Sequence, residues 1–287
     1  MGSIGSKLQE VKRRIAAACI LAGRDANIFT RVPPAGQAAS GVTLLAVSKT
    51  FAAPSVREAH AAGQQAFGEN YVQEALAKIE ALADLRATLE WHLIGPLQGN
   101  KTRAVAAQFD WVHSVDRLKI AQRLAEQRPP GLPPLQLCLQ VNVSGEASKS
   151  GVAPAELPAL AHAVAALPAA RVRLRGLMAI PEPAAGREAQ RAPHRRLATL
   201  LAALRGQGLA VDTLSMGMSA DLEAAVLEGA TLVRVGSAVF GARARRAAVG
   251  APGADRPPEL PGHCGGAALP GPARGHAGRS PDPRALS

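Results

Sequence analysis

The chain has 287 residues, 47% of them hydrophobic and 19% charged, enough to bury one sizeable core, with neither an uncharged run of about 18 residues for a membrane span nor a secretory leader; the expected compartment is the cytoplasm. Its formal net charge of +11 does not mark a nucleic-acid binder, because the basic residues are scattered arginines without aromatic interleaving, and residues 244–287 contribute +3 of it from six arginines and three acidic residues. Diffuse positive charge suits an anionic small molecule, and Cys19, Cys138 and Cys264 are too few and too widely spaced for a disulfide framework or a zinc site.

In chain order, a helix over 4–22 is followed by a Gly- and Pro-containing link over 25–41. Short β-type runs then alternate eight times with stretches of helical periodicity. The runs are 42–48, 65–68, 90–94, 111–114, 135–143, 174–180, 213–216 and 232–235, and the helical stretches are 54–62, 71–82, 100–108, 116–126, 154–166, 194–206, 220–228 and a short one after Ser237. Repeated β-then-α order calls for parallel strands with right-handed crossovers, in an open doubly wound sheet or a closed barrel. Eight units favour a single (β/α)8 TIM barrel. The span 42–243 lies near the lower size limit of that fold, about 200 residues, so no second catalytic domain fits within it. From Ala251 onward Pro and Gly supply 15 of 37 residues, the composition of a disordered tail. The expected organisation is one barrel with its N-terminal helix over 1–243 and a disordered tail over 244–287.

Chemistry in such barrels gathers where strands end and βα loops begin. The first run delivers Lys49 to that position, where an amine could act as a nucleophile or stand as an ordinary solvated lysine. After the second run, Asn70 and Gln73 have the spacing of a helix capping box. After the seventh and eighth runs, Met216-Gly217-Met218-Ser219 and Arg234-Val235-Gly236-Ser237 each place a glycine and a hydroxyl ahead of a helix, the usual makings of a phosphate site in this fold. Strand alternation turns Arg234 and Gly236 to the same side; if that side is the interior, the guanidinium needs an acceptor, either a ligand atom or a structural salt-bridge partner. His92 and His113 read as satisfied barrel histidines, since no carboxylate partner is evident at a fixed offset.

Lys49 in Ala-Val-Ser-Lys, the run from Phe67 to Glu74, Trp91 to Gly95, Gln140 to Gly151, Gly176-Leu177-Met178, Leu214 to Ser219 and Arg234 to Gly241 together resemble the pyridoxal phosphate homeostasis protein family over about 42–243. The resemblance implies a fold-type III barrel similar to the N-terminal domain of alanine racemase, with pyridoxal 5′-phosphate (PLP) held as a Schiff base on Lys49. It assigns the phosphate to Ser219, Gly236 and Ser237, the pyridine nitrogen to Arg234, and the flanks of the ring to Asn70 and Met216. The family usually has threonine where this chain has Ser237, and the hydroxyl is kept. The segment 30–40 and the tail fall outside its pattern.

The implied role is PLP homeostasis and supply without substantial catalysis, with PLP-requiring apo-enzymes as the partners; the chain is expected to be a cytoplasmic monomer with neither nucleic acid nor membrane as partner. An arginine at the pyridine nitrogen weakens the cofactor as an electron sink. The alternative is a PLP-dependent amino-acid racemase, with Lys49 as one base and water or Lys149 as the other. In the racemases that the barrel resembles, a tyrosine from a separate β-domain supplies the second base; here Tyr71 is the only tyrosine.

Overall fold

The computed structural model describes residues 2–35, 41–145 and 150–241. Its strands are β1 (Ile28–Phe29), β2 (Val42–Val47), β3 (Ala66–Glu69), β4 (Glu90–Leu93), β5 (Trp111–Val115), β6 (Leu135–Gln140), β7 (Val172–Met178), β8 (Thr213–Ser215) and β9 (Leu232–Val235). The helices are α1 (Ile4–Leu21), α2 (Ala53–Ala61), α3 (Val72–Ala81), α4 (Thr102–Gln108), α5 (Leu118–Gln127), α6 (Leu157–Ala165), α7 (Arg187–Gly206), α8 (Leu222–Leu227) and α9 (Ser237–Phe240). All strand pairings are parallel, and β2 pairs with β9, which closes β2–β9 into the expected eight-stranded barrel.

Strands covered on both sides read as continuous apolar runs, and every residue of β2 is buried. The main apolar core lies between strands and helices, while smaller clusters, Leu45 with Val47 and Ile94 and Trp111 with Cys138 and Met178, fill the inside. Helix α1 begins where the Ser3 hydroxyl accepts from Ser6 N–H. It buries Leu8, Val11, Ile15 and Cys19, spaced three and four apart, and packs on α2, α8 and α9, across the seam where the barrel closes.

The link before β2 and helix α7 differ from the sequence reading. The link over 25–41 contains β1, which pairs with the start of β2, and Thr30 O then accepts from Ala66 N–H; β1 fills the gap between the diverging beginnings of β2 and β3. Helix α7 starts seven residues before the expected His194 and runs through Pro193. The proline deprives the Ala189 carbonyl of its helical donor, and Ala189 is exposed to water. The expected disordered tail lies outside the described residues.

Candidate functional site

The inward series of three adjacent strands ends at the barrel mouth. Leu45 pairs with Arg234 and Val47 with Gly68, so alternation carries Leu45 and Val47 on to Lys49, Ala66 and Gly68 on to Asn70, and Leu232 and Arg234 on to Gly236. Lys49 is half-buried. A Cβ on Gly236 would stand 3.1 Å from the Val47 carbonyl oxygen, so the bare glycine lets the loop after β9 settle against the strand that carries Lys49.

Behind Lys49 lies a buried charge cluster that the sequence reading did not anticipate. The Lys78 ammonium donates to Ser48 O (2.6 Å) and pairs with Glu69 and Glu74 (2.7 Å each). Ser48 Oγ donates to the same Glu69 oxygen (2.6 Å), and Glu74 accepts from Thr50 N–H (2.5 Å). Burial pushes the Glu69 carboxyl up, against the pull of Lys78. Thr50 sits at φ +70°, a region L-residues rarely adopt, so the turn around Lys49 is held in a strained form by contacts on both sides. The one available signal was the Glu74–Lys78 spacing of four, which reads as a surface helix pair.

Arg234 is buried inside the barrel, donating to Ser215 Oγ and to Ala179 O, both at 2.7 Å. The partners are neutral, not the salt bridge weighed from sequence, and burial pushes its pKa down to about 10. These two bonds use one N–H on each terminal nitrogen and leave three further donors, the Nε–H among them. Ser215 Oγ also meets His113 Nδ1 (2.8 Å), His113 Nε2 meets His92 Nδ1 (2.9 Å), and His92 Nε2 meets Glu90 Oε1 (2.9 Å). Both histidines are thus satisfied inside the barrel. The carboxylate missed in the sequence is Glu90, two residues before His92 on the same face of β4.

In the loops after β8 and β9, Ser219 Oγ and Ser237 Oγ lie 3.5 Å apart. Gly217 has φ +90°, and a Cβ there would come within 2.5 Å of Ala225 Cβ, so the loop after β8 can turn only at glycine. Asp221 caps that loop by accepting from Met218 N–H (2.7 Å), and α8 starts at Leu222 rather than near Ala220. Arg14 of α1 donates to Ser219 O (3.1 Å) and is paired with Glu223.

Asn70 does not cap α3; Tyr71 occupies that position without a side-chain bond. Asn70 Oδ1 is buried with no partner, an acceptor that a ligand could satisfy. Met216 is fully buried in the helix-facing core, because Ser215 takes the inward register; Met216 can border a ring only through its backbone. Amine, orphan acceptor, inward guanidinium and paired hydroxyls fit a phosphorylated aromatic aldehyde. Among the described residues no group of His, Cys, Asp and Glu is arranged to hold a metal ion.

The chain matches the family described as alanine racemase, N-terminal domain, over residues 32–244. It is 62% identical over 243 residues to the pyridoxal phosphate homeostasis protein of Pseudomonas aeruginosa, covering 85% of this chain and 97% of that protein. To the protein of the same name from Escherichia coli K12 it is 50% identical, over 85% of this chain and 98% of the relative. Among solved structures, PipY of Synechococcus elongatus with PLP bound superposes with a TM-score of 0.64 at 40% identity, covering 79% of this chain and all of that one.

Proposed function

Because the chain belongs to the pyridoxal phosphate homeostasis protein family and carries the alanine racemase N-terminal domain, we propose that it holds PLP covalently through the amine of Lys49 and keeps it for supply rather than turnover. The observation that carries this reading is the closure of the barrel, in which the pairing of β2 with β9 places Lys49 beside the Gly236–Ser237 loop. PLP supplies an aldehyde that an amine can engage and a ring that withdraws electrons when its nitrogen is protonated.

The residues divide the work. Ser219 and Ser237 donate hydroxyls to the phosphate, and Gly236 admits it close to the backbone. Asn70 and the Met216 backbone border the ring. Arg234 turns its Nε–H to the ring nitrogen; a guanidinium of pKa about 10 stays charged near neutral pH and donates without giving up its proton. The nitrogen therefore remains an acceptor and the electron sink stays weak, which favours a carrier over a racemase. Lys149, the second base of the racemase alternative, lies outside the described residues.

The accompanying reading is of a cytoplasmic monomer that passes PLP to apo-enzymes, with neither nucleic acid nor membrane as partner. Among the described residues no helix is long and apolar enough to cross a membrane. The PLP-binding unit is assigned to 1–243, and 244–287 is assigned no function.

The test is the visible spectrum of the protein loaded with PLP beside Lys49→Ala, before and after borohydride, followed by incubation with L-amino acids. A band lost in the variant, trapped by reduction and unaccompanied by racemised product supports the carrier. Turnover would move the protein to the enzymes, and a wild type that cannot be loaded would end the PLP reading.

A further inference from the structure

The contacts between Glu90 and Arg234 form one continuous chain along the inside of the barrel, and its hydrogens cannot be assigned independently. A neutral imidazole has one donor and one acceptor nitrogen. Glu90 already accepts from Arg31 Nε (3.1 Å) and Val32 N–H (3.2 Å), and an ionised carboxylate can only accept. His92 must therefore carry its hydrogen on Nε2, leaving Nδ1 bare. His113 then carries its own on Nε2, and its bare Nδ1 draws the Ser215 hydroxyl hydrogen. Ser215 turns its lone pairs to Arg234.

We propose that Glu90, at the N-terminal face, sets the direction of this chain and through it the orientation of the Arg234 guanidinium, making Glu90, His92, His113 and Ser215 positioning residues for the site at the opposite face. The last step rests on the assignment of Arg234 to PLP.

The opposite direction requires a hydrogen on His92 Nδ1. With Nε2 also protonated, His92 would be an imidazolium with no exposure at all. The charge of Glu90 is already met by Arg31, Arg234 adds an interior cation whose hydrogen-bond partners are neutral, and Asp212 is taken up by Arg175, which lies 4.8 Å over the Trp111 ring on which His92 stacks. A further buried cation there is poorly compensated. Reversal would also send a second N–H to Ser215 Oγ and leave its hydroxyl hydrogen to find another acceptor. Burial above all holds His113 well below the ordinary imidazole pKa, in keeping with a neutral His113.

The experiment is long-range 1H–15N NMR of the histidine rings, in PLP-free and PLP-loaded protein. Both His92 and His113 are expected as neutral Nε2–H tautomers in the wild type. Glu90→Gln is expected to lose that single-tautomer pattern in both rings and to shift the visible band of the loaded protein. Ser215→Ala is expected to shift the band while His92 keeps its tautomer. An Nδ1–H tautomer in either ring or a doubly protonated His92 in the wild type would overturn the proposal, as would a folded Glu90→Gln with unchanged rings and band. Should the variants fail to fold, the wild-type spectrum decides alone. Expected tautomers in a protein that takes up no PLP would remove the PLP reading and leave the direction of the chain standing.

Discussion

Lys78 Nζ donates to the main-chain oxygen of Ser48 at 2.6 Å, one residue before Lys49, and so ties α3 to the strand end that presents the amine. Its remaining bonds go to Glu69 and Glu74. Lys78→Met removes the cation and leaves the fully buried Glu69 facing only the Ser48 hydroxyl. Breaking a buried pair by deleting one partner costs about 3–5 kcal/mol, so the midpoint of urea unfolding should fall accordingly. The double variant Lys78→Met/Glu69→Gln should regain much of the loss, because the fully buried charge is gone and only the partly exposed Glu74, still accepting from Thr50 N–H, is left without its cation. A single-variant loss under about 1 kcal/mol would put the cluster in the class of weak, solvent-screened pairs.

Gly95 sets the position of Asn70. A Cβ at Gly95 would lie 2.2 Å from Asn70 O and 2.7 Å from Asn70 Cα, backbone atoms that cannot step aside as a side-chain tip does. Gly95→Ala should destabilise the fold by about 1–3 kcal/mol, the usual range for overpacking, and weaken PLP binding through the displaced Asn70. Thermal melting and equilibrium dialysis read the two effects separately. Unchanged affinity in a destabilised variant would mean that Asn70 does not border the ring.

The two hydroxyls at the mouth allow a graded test. Each hydrogen bond to a phosphate dianion is worth about 1.5–3 kcal/mol, so Ser219→Ala and Ser237→Ala should each weaken PLP binding about tenfold or more. Ser237→Thr keeps the hydroxyl and should bind as the wild type does. Dialysis against PLP and against pyridoxal should show the losses for the phosphorylated form alone; equal losses for both would place the hydroxyls away from the phosphate.

The barrel was legible because eight apolar runs in register with helical stretches admit few topologies, and β2 with its uniformly buried residues carries that signal most clearly. The pair of residues forming β1 was not, since two half-buried positions have no periodicity to detect. The strand-end positions of Lys49, Gly236 and Ser237 were readable, while their roles toward PLP belong to the proposal. Met216 was not fully readable, because which of Ser215 and Met216 faces inward depends on the register of a three-residue strand. The Lys78 cluster and the Glu90 chain were hidden for another reason: partners such as His113 and Ser215, 102 positions apart, meet only when the barrel closes.

The pH dependence of stability should bear the mark of His113. Burial holds its imidazole well below the ordinary value of 6.5, so below that value the unfolded chain takes up a proton that the folded barrel refuses. Its contribution is complete above about pH 6.5 and is lost as pH falls, by up to about 1.4 kcal/mol per pH unit. Glu90 and Asp221, whose carboxyls burial raises but hydrogen bonds from histidine and backbone N–H together with nearby arginine charge bring down below the ordinary value, add their losses only further into acid, below the ordinary 4.5 and 3.8. Glu69 acts in the opposite sense: its raised value favours the fold in acid and withdraws that stability as pH rises through it. Urea midpoints across about pH 5–7.5, a range chosen to straddle the imidazole titration, should therefore decline on the acid side in the wild type. The same series in His113→Asn should decline less steeply by close to one proton. Parallel declines in the two proteins would assign the early acid sensitivity to a group other than His113.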